Sequence, residues 1–166
     1  MSATADEILW LRRFSDAVRE STLKRLRRVP AGYHDWRPVP DMLSFTDNAN
    51  HILELDRYLF DRLSGMEVEP VREVVPSTVK ITAVEYQTII EDLVESGKKR
   101  AAVIERLSPE ELRCPCRDVR YEGEITLWWL IARGCLDHEA HHRGQMVAML
   151  RILGETLGGT DPDRRG

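Results

Sequence analysis

Three of the five histidines of this chain lie within one five-residue stretch, at positions 138, 141 and 142. They fall inside an apolar run, 125–153, whose pattern predicts a long helix. His138 and His142 are four residues apart, so in a helix their imidazoles lie about 40° apart around the axis and one turn apart along it. Two imidazoles placed in this way can converge on a single metal ion.

The phase of this helix separates His141 from the other two histidines. One face is polar or small and the opposite face is apolar, and His138 and His142 belong with the apolar face. The polar face holds Arg133, Asp137, Ala140, Gly144 and Arg151, and the apolar face holds Trp128, Ile131, Cys135, Met149 and Leu153. We therefore predict that His138 and His142 are metal ligands and that His141 is a neighbour.

A third imidazole is available from another predicted helix, where His51 lies on the flank of the inward stripe. Buried histidines can also be held by backbone or hydroxyl groups, but the pair together with His51 favours a metal site. Three neutral imidazoles suit zinc, nickel, copper or iron(II), and they leave a coordination position open. Asp47 is a candidate partner for the second ring nitrogen of His51, unless it caps the helix. His34, in a proline-rich loop, is expected to be exposed.

The stretch from His138 to His142 also matches the H-E-x-x-H pattern of zinc proteases, in which the glutamate is the general base. Those proteases take their third ligand from downstream. Here Glu155 lies too far along the same helix to return to the site, and Gln145 stands where the longer form of the pattern needs glycine. We therefore predict that Glu139 is a surface residue or a neighbour of the ligands.

The composition limits both size and partners. A chain of 166 residues with 42% apolar content is expected to form one domain, 1–153, followed by a flexible tail, 154–166. The net charge of −4 gives no electrostatic reason to bind nucleic acid or an anionic membrane.

Three cysteines, an odd number, and the lack of a signal-peptide pattern predict reduced thiols and a cytoplasmic location. The Cys114 and Cys116 pair has the wrong spacing for a zinc knuckle, so no cysteine is assigned to the site.

Four amphipathic helices are predicted to position these side chains. Capping patterns begin the first three helices, which are predicted at 4–29, 44–64 and 82–107, and the fourth runs from 125 to 153. A short turn starts at Ser108, and the irregular segment 113–123 is compatible with a small hairpin. The pattern is that of an all-α four-helix bundle. The long 64–80 link predicts a crossover or a lid and allows the second and third helices to be parallel.

The most specific motif is His138-x-x-His141-His142-Arg143-Gly144-Gln145, followed by Leu150-Arg151; Trp36-Arg37-Pro38 and His51 precede it. With these motifs the chain, from about residue 8 to 153, resembles the DinB-like (damage-inducible) family of metal-binding bundles. The resemblance implies a four-helix bundle with a crossover between helices two and three, commonly dimeric. It also implies a metal held by His51, His138 and His142, which agrees with the helical phase.

The resemblance extends to thiol-dependent transferases that use mycothiol or bacillithiol, including a maleylpyruvate isomerase. We therefore expect a cytoplasmic, homodimeric thiol S-transferase that acts on electrophilic small molecules and uses zinc or nickel, with iron as an alternative. A small-molecule thiol and an electrophile are its expected partners. Two other functions remain open at this point: a non-catalytic metal-binding stress-response protein and a metal-dependent hydrolase.

Overall fold

The computed structural model describes residues 5–66, 68, 71 and 74–158. Its elements, in chain order, are α1 (Ala5–Leu26), α2 (Phe45–Leu63), α3 (Ala83–Arg106), α4 (Pro109–Arg113), β1 (Pro115–Arg117), β2 (Glu124–Thr126), α5 (Leu127–Trp129), a π-helical segment (Leu130–Asp137) and α6 (His138–Thr156). The last three run on without a break and are called the final helix, 127–156. β1 and β2 form a small antiparallel hairpin, with Cys116 opposite Ile125. The predicted all-α fold is confirmed.

The helix starts follow the capping patterns of the sequence. Ser44, Thr82 and Ser108 each accept a hydrogen bond from the backbone N–H three residues on, and the acidic side chain there accepts one in return. These boxes satisfy N–H groups that the first turn of a helix leaves without partners. The predicted cap at Thr4 lies outside the described residues. No described helix has the length and apolar character needed to cross a membrane.

The crossover makes α2 and α3 parallel. Asp56 accepts a hydrogen bond from Ser96, and one turn further along both helices the Lys99 ammonium lies 4.1 Å from the centre of the Phe60 ring. The link between the two helices must therefore return along the length of the bundle, as its length predicts. α1 and α2 each pack mainly against α3 and the final helix, so they occupy diagonal positions.

The interior consists of two apolar clusters with a layer of charge between them. One cluster comprises Leu23, Leu26, Phe45, Ala49, Ile52, Tyr86, Ile90, Leu93, Met146, Met149 and Leu153, and the other comprises Leu11, Leu59, Ile104, Leu112, Ile131, Cys135 and Leu136. Along each long helix, one buried charged residue lies between the residues that the helix contributes to the two clusters. These residues are Arg19, Asp56, Arg100 and Glu139, and they form what we call the charge layer.

All four members of the charge layer are buried and ion-paired. Arg19 Nη2 donates to Asp56 at 2.7 Å, and its Nε donates to Glu139 at 2.9 Å. Arg100 Nη1 donates to Asp56 at 2.8 Å and to Glu139 at 2.7 Å. Because burying a charge without a partner costs roughly several kcal/mol, each of the four depends on its two partners of opposite charge.

Close approach of α1 to α3 depends on the absence of a side chain at Gly97. A Cβ atom at this position would lie 2.8 Å from Cγ of Arg19, which is held in the charge layer. Gly144, also within a helix, is different, because a Cβ atom there would meet nothing within 4 Å. The two glycines therefore have opposite structural roles.

We expect Gly144→Ala to raise the free energy of unfolding by about 0.5–1 kcal/mol, since alanine is the better helix former and space is available. Gly97→Ala should instead lower it by about 1–3 kcal/mol, because the new methyl group must displace Arg19. Urea denaturation of both variants measures the difference. Stabilisation by both substitutions would contradict the packing argument at Gly97.

The final helix differs from the regular α-helix predicted over 125–153. Residues 125 and 126 belong to β2 and not to the helix. The eight residues Leu130–Asp137 are π-helical, and α6 continues three residues beyond the predicted end, to Thr156. Within the π-helical segment the carbonyl oxygen of Gly134 accepts a hydrogen bond from Nη1 of Arg120 at 3.2 Å. No simple spacing of apolar residues signals such a segment. Of the predicted tail, residues 159–166 lie outside the described residues.

Candidate metal centre

α2 and α6 bring together the three histidines that the sequence predicted. Nε2 of His51 lies 3.0 Å from Nε2 of His138, and the ring centre of His142 lies 4.8 Å from the ring centres of both. One potential ligand atom from each residue lies within 4.8 Å of the others. His141 is outside this group: it is exposed, and its Nε2 lies 3.0 Å from the side-chain nitrogen of Gln145.

The ring of His142 is oriented by Asn48. The Asn48 amide nitrogen donates to the Ser44 carbonyl at 2.7 Å, which turns the amide oxygen toward Nδ1 of His142 at 2.8 Å. Because that oxygen only accepts, Nδ1 of His142 must carry the proton and Nε2 keeps its lone pair. Nδ1 of His51 lies 3.4 Å from the Glu54 carboxylate, which favours the same tautomer in that ring.

Asn48 was missed by the sequence prediction, which had considered Asp47 as a partner for His51. That alternative is wrong, since Asp47 accepts from the backbone and hydroxyl of Ser44 in the capping box and pairs with Arg37. The signal for Asn48 was its position three residues before His51, which places both on the inward face of α2. Sequence alone could not connect it to His142, which is 94 positions away.

The environment keeps the three imidazoles neutral at neutral pH. Burial lowers the pKa of all three histidines, and the repulsion that a protonated His51 would exert further lowers the pKa of His138, to about 4, and of His142, to about 3. Neutral imidazole is the form that coordinates metals. Two nitrogens bound to one tetrahedral zinc ion are expected about 3.3–3.4 Å apart, so the 3.0 Å between Nε2 of His51 and Nε2 of His138 is within a few tenths of an ångström of the spacing that a shared ion requires. Within the described residues, three histidines lie within metal-binding distance of one another.

A cavity of about 490 Å³ adjoins the three histidines. Besides them it is lined by Leu43, Leu55, Val71, Val74, Arg120, His141 and Gln145. Val71 and Val74 come from the 64–80 link, so described residues of the crossover form part of the wall. The arrangement combines a cluster of nitrogen donors with a small, largely apolar chamber, which is the usual composition of a small-molecule site.

The family model of the DinB superfamily matches residues 15–146. This chain belongs to the DinB superfamily. An uncharacterized protein from Clostridium difficile 630 has the same fold, with a TM-score of 0.66 and 14% identity over 92% of this chain and 98% of that one. A Streptococcus pneumoniae protein matches with a TM-score of 0.62 and 16% identity over 92% of this chain and 94% of that one. No curated protein matches the sequence.

In this DinB bundle, Glu139 is not on the surface, which corrects one of the two alternatives that the sequence left for it. Its side chain is completely buried in the charge layer. Burial alone would raise its pKa, but the charges of Arg100 and Arg19, with their hydrogen bonds, lower the pKa of Glu139 to about 2. A carboxylate with both oxygens bound to arginine cannot serve as the general base of a zinc protease. The position of Glu139 therefore excludes the zinc-protease interpretation of the H-E-x-x-H pattern, as the missing downstream ligand already indicated.

The remaining candidates of the sequence lie elsewhere in the DinB fold. His34 is buried, so the prediction that it is exposed is wrong. Its Nε2 lies 2.7 Å from the Ile81 carbonyl oxygen, and its ring stacks on Tyr86. Cys135 is buried in the apolar cluster, where burial raises its pKa to about 12. Cys114 and Cys116 lie at the start of the hairpin and are free thiols. None of these residues belongs to the histidine group.

We expect Glu139→Gln to lower the free energy of unfolding by about 3–5 kcal/mol, because it leaves two buried arginines facing one carboxylate. The matched control is Glu95→Gln, which breaks the exposed pair with Lys98 on α3 and should cost no more than about 1 kcal/mol. Urea denaturation of the two variants tests the contrast. Equal small losses would mean that the charge layer does not stabilise the bundle.

Proposed function

We propose that this DinB-superfamily protein binds a divalent transition metal through His51, His138 and His142 and is a thiol S-transferase that acts on electrophilic small molecules. The observation that carries the proposal is the cavity of about 490 Å³ that these histidines line. Its volume lies in the range of small-molecule sites, about 300–1,000 Å³. Three imidazoles suit zinc or nickel, with iron as the alternative, and leave a position for an exogenous ligand.

A metal ion at this position would supply Lewis acidity, which lowers the pKa of a thiol. The chain's own contribution is to hold the donors ready: Asn48 fixes the tautomer of His142, and burial keeps the three imidazoles unprotonated. In the transfer the thiol loses its proton to solvent, and its sulfur forms a bond to an electrophilic carbon. The leaving group departs with the electron pair of its bond to that carbon. Leu43, Leu55 and Val74 give the chamber an apolar wall, which strengthens electrostatic interactions inside it.

Metal binding is tested with neighbouring histidines. The wild-type protein should retain one equivalent of zinc or nickel after dialysis, and His142→Ala should lose it because a ligand is removed. His141→Ala should retain the metal, since His141 lies outside the group. Asn48→Ala should bind about 10–100-fold more weakly, because the ring of His142 is no longer oriented. Elemental analysis and competition with a chelator measure these affinities, and equal losses in the His141 and His142 variants would refute the assignment.

Transferase activity is tested by incubating the metal-loaded protein with small thiols and an electrophile such as 1-chloro-2,4-dinitrobenzene. We expect a thioether product, detected by mass spectrometry, that disappears with a chelator and in His142→Ala. Cys114→Ser is the control for direct reaction of an exposed protein thiol and should leave turnover unchanged. Metal-dependent ester cleavage without any thioether would favour the hydrolase. Inactivity in both assays, with metal bound, would favour a non-catalytic metal-binding stress-response protein.

A further inference from the structure

Arg120 brings a positive charge to the cavity that the histidines line. It comes from the connection between β1 and β2, and only 18% of its side chain is exposed. It lines the same chamber as His51, His138 and His142. The guanidinium therefore lies in the wall of the chamber that adjoins the candidate metal centre.

The guanidinium is held from several sides. Asp118, itself buried, accepts from Arg120 Nε at 2.9 Å and from Nη2 at 2.7 Å, and the Tyr58 hydroxyl donates to the same carboxylate at 2.9 Å. The guanidinium carbon lies 5.1 Å from the ring centre of Tyr58 and 5.6 Å from that of Tyr121. A guanidinium whose position is fixed in this way loses little further conformational entropy when it binds a ligand.

The final helix contacts the Arg120 side chain at Gly134. Arg120 Nη1 donates to the Gly134 carbonyl in the π-helical segment, one turn before His138. A Cβ atom at Gly134 would lie 3.1 Å from Nη2 of Arg120, so glycine leaves the space that the guanidinium occupies. The final helix, which carries His138 and His142, therefore also supports Arg120.

The contacts of Arg120 leave part of its donor capacity available. Its three hydrogen bonds within the described residues use three of the five N–H groups of a guanidinium. Asp118 balances one positive charge, and the three imidazoles are neutral, so a divalent ion would leave the chamber with a net positive charge. A site of this kind favours an anionic ligand over a neutral one of the same size.

We propose that Arg120 binds a carboxylate on the thiol that enters the cavity, so the preferred co-substrate is an acidic thiol. This inference rests on the proposed transferase function and deepens it, since it names the chemical class of one substrate. The Arg120–Asp118 pair alone would hold the hairpin against Tyr58. The guanidinium also lies in the wall of the chamber, where it can contact a ligand. Arginine is the side chain best matched to a carboxylate, because its planar fork can donate two parallel hydrogen bonds.

The test compares two small thiols on the cobalt(II)-loaded protein, whose visible spectrum changes when a thiolate coordinates the metal. The probes are 3-mercaptopropionate, which carries a carboxylate, and 2-mercaptoethanol, which is neutral. We expect the wild-type protein to bind 3-mercaptopropionate about tenfold or more tightly than 2-mercaptoethanol, the scale of one charge-assisted hydrogen bond. In Arg120→Gln this advantage should fall below about twofold by the same reasoning, because the affinity for 3-mercaptopropionate should fall much more than the affinity for 2-mercaptoethanol, which has no carboxylate.

Each outcome separates the two proposals. Spectral binding of both thiols without a preference in the wild-type protein would overturn the role of Arg120 and leave the transferase proposal standing. A preference that persists in Arg120→Gln would also overturn it, because the carboxylate would then be chelating the metal. Failure of both thiols to bind would overturn both proposals. Arg120→Lys, which keeps the charge paired with Asp118 but loses the fork, should show an intermediate preference, and it decides the question if Arg120→Gln does not fold.

Discussion

The charge layer is the interaction on which the position of the histidine group depends. Glu139 must meet Arg19 and Arg100 at the same time, and it is the direct neighbour of His138 in α6. The rotation and height of α6 are therefore fixed by ion pairs, and the flank of the helix that carries His138 and His142 is turned toward α2. Because an unpaired buried charge is strongly destabilising, a shift of α6 that separated Glu139 from its two arginines would cost several kcal/mol, about 3–5. Asp56 extends the same constraint to the helix that supplies His51.

The parts of this site that could be predicted from the sequence are those encoded locally. A four-residue spacing places His138 and His142 side by side whatever surrounds them, and the boxes at Ser44 and Thr82 depend only on residues three positions apart. His51 could be added because its helix has one inward stripe. The length of the 64–80 link likewise indicated that the chain must return before α3 begins.

What could not be predicted depends on contacts between distant positions. A glutamate on a helix is normally a surface residue, but Glu139 is buried because Arg19, 120 positions earlier, and Arg100, 39 positions earlier, both pair with it. His34 is buried through a contact with Ile81, 47 positions later. The π-helical segment accompanies a contact between Arg120 and Gly134 that no periodicity announces. The homodimer, the cytoplasmic location and the identity of the metal stay predictions.

The division of the interior into two apolar clusters bears on how this bundle tolerates change. Substitutions far apart, with no shared neighbours, usually have additive effects on stability, whereas residues in one cluster influence one another. A pair of changes such as Leu11 with Met149, one from each cluster, falls in the first class. The two ends of the molecule can therefore diversify independently in evolution, provided that the four ionised side chains between them are inherited as a set.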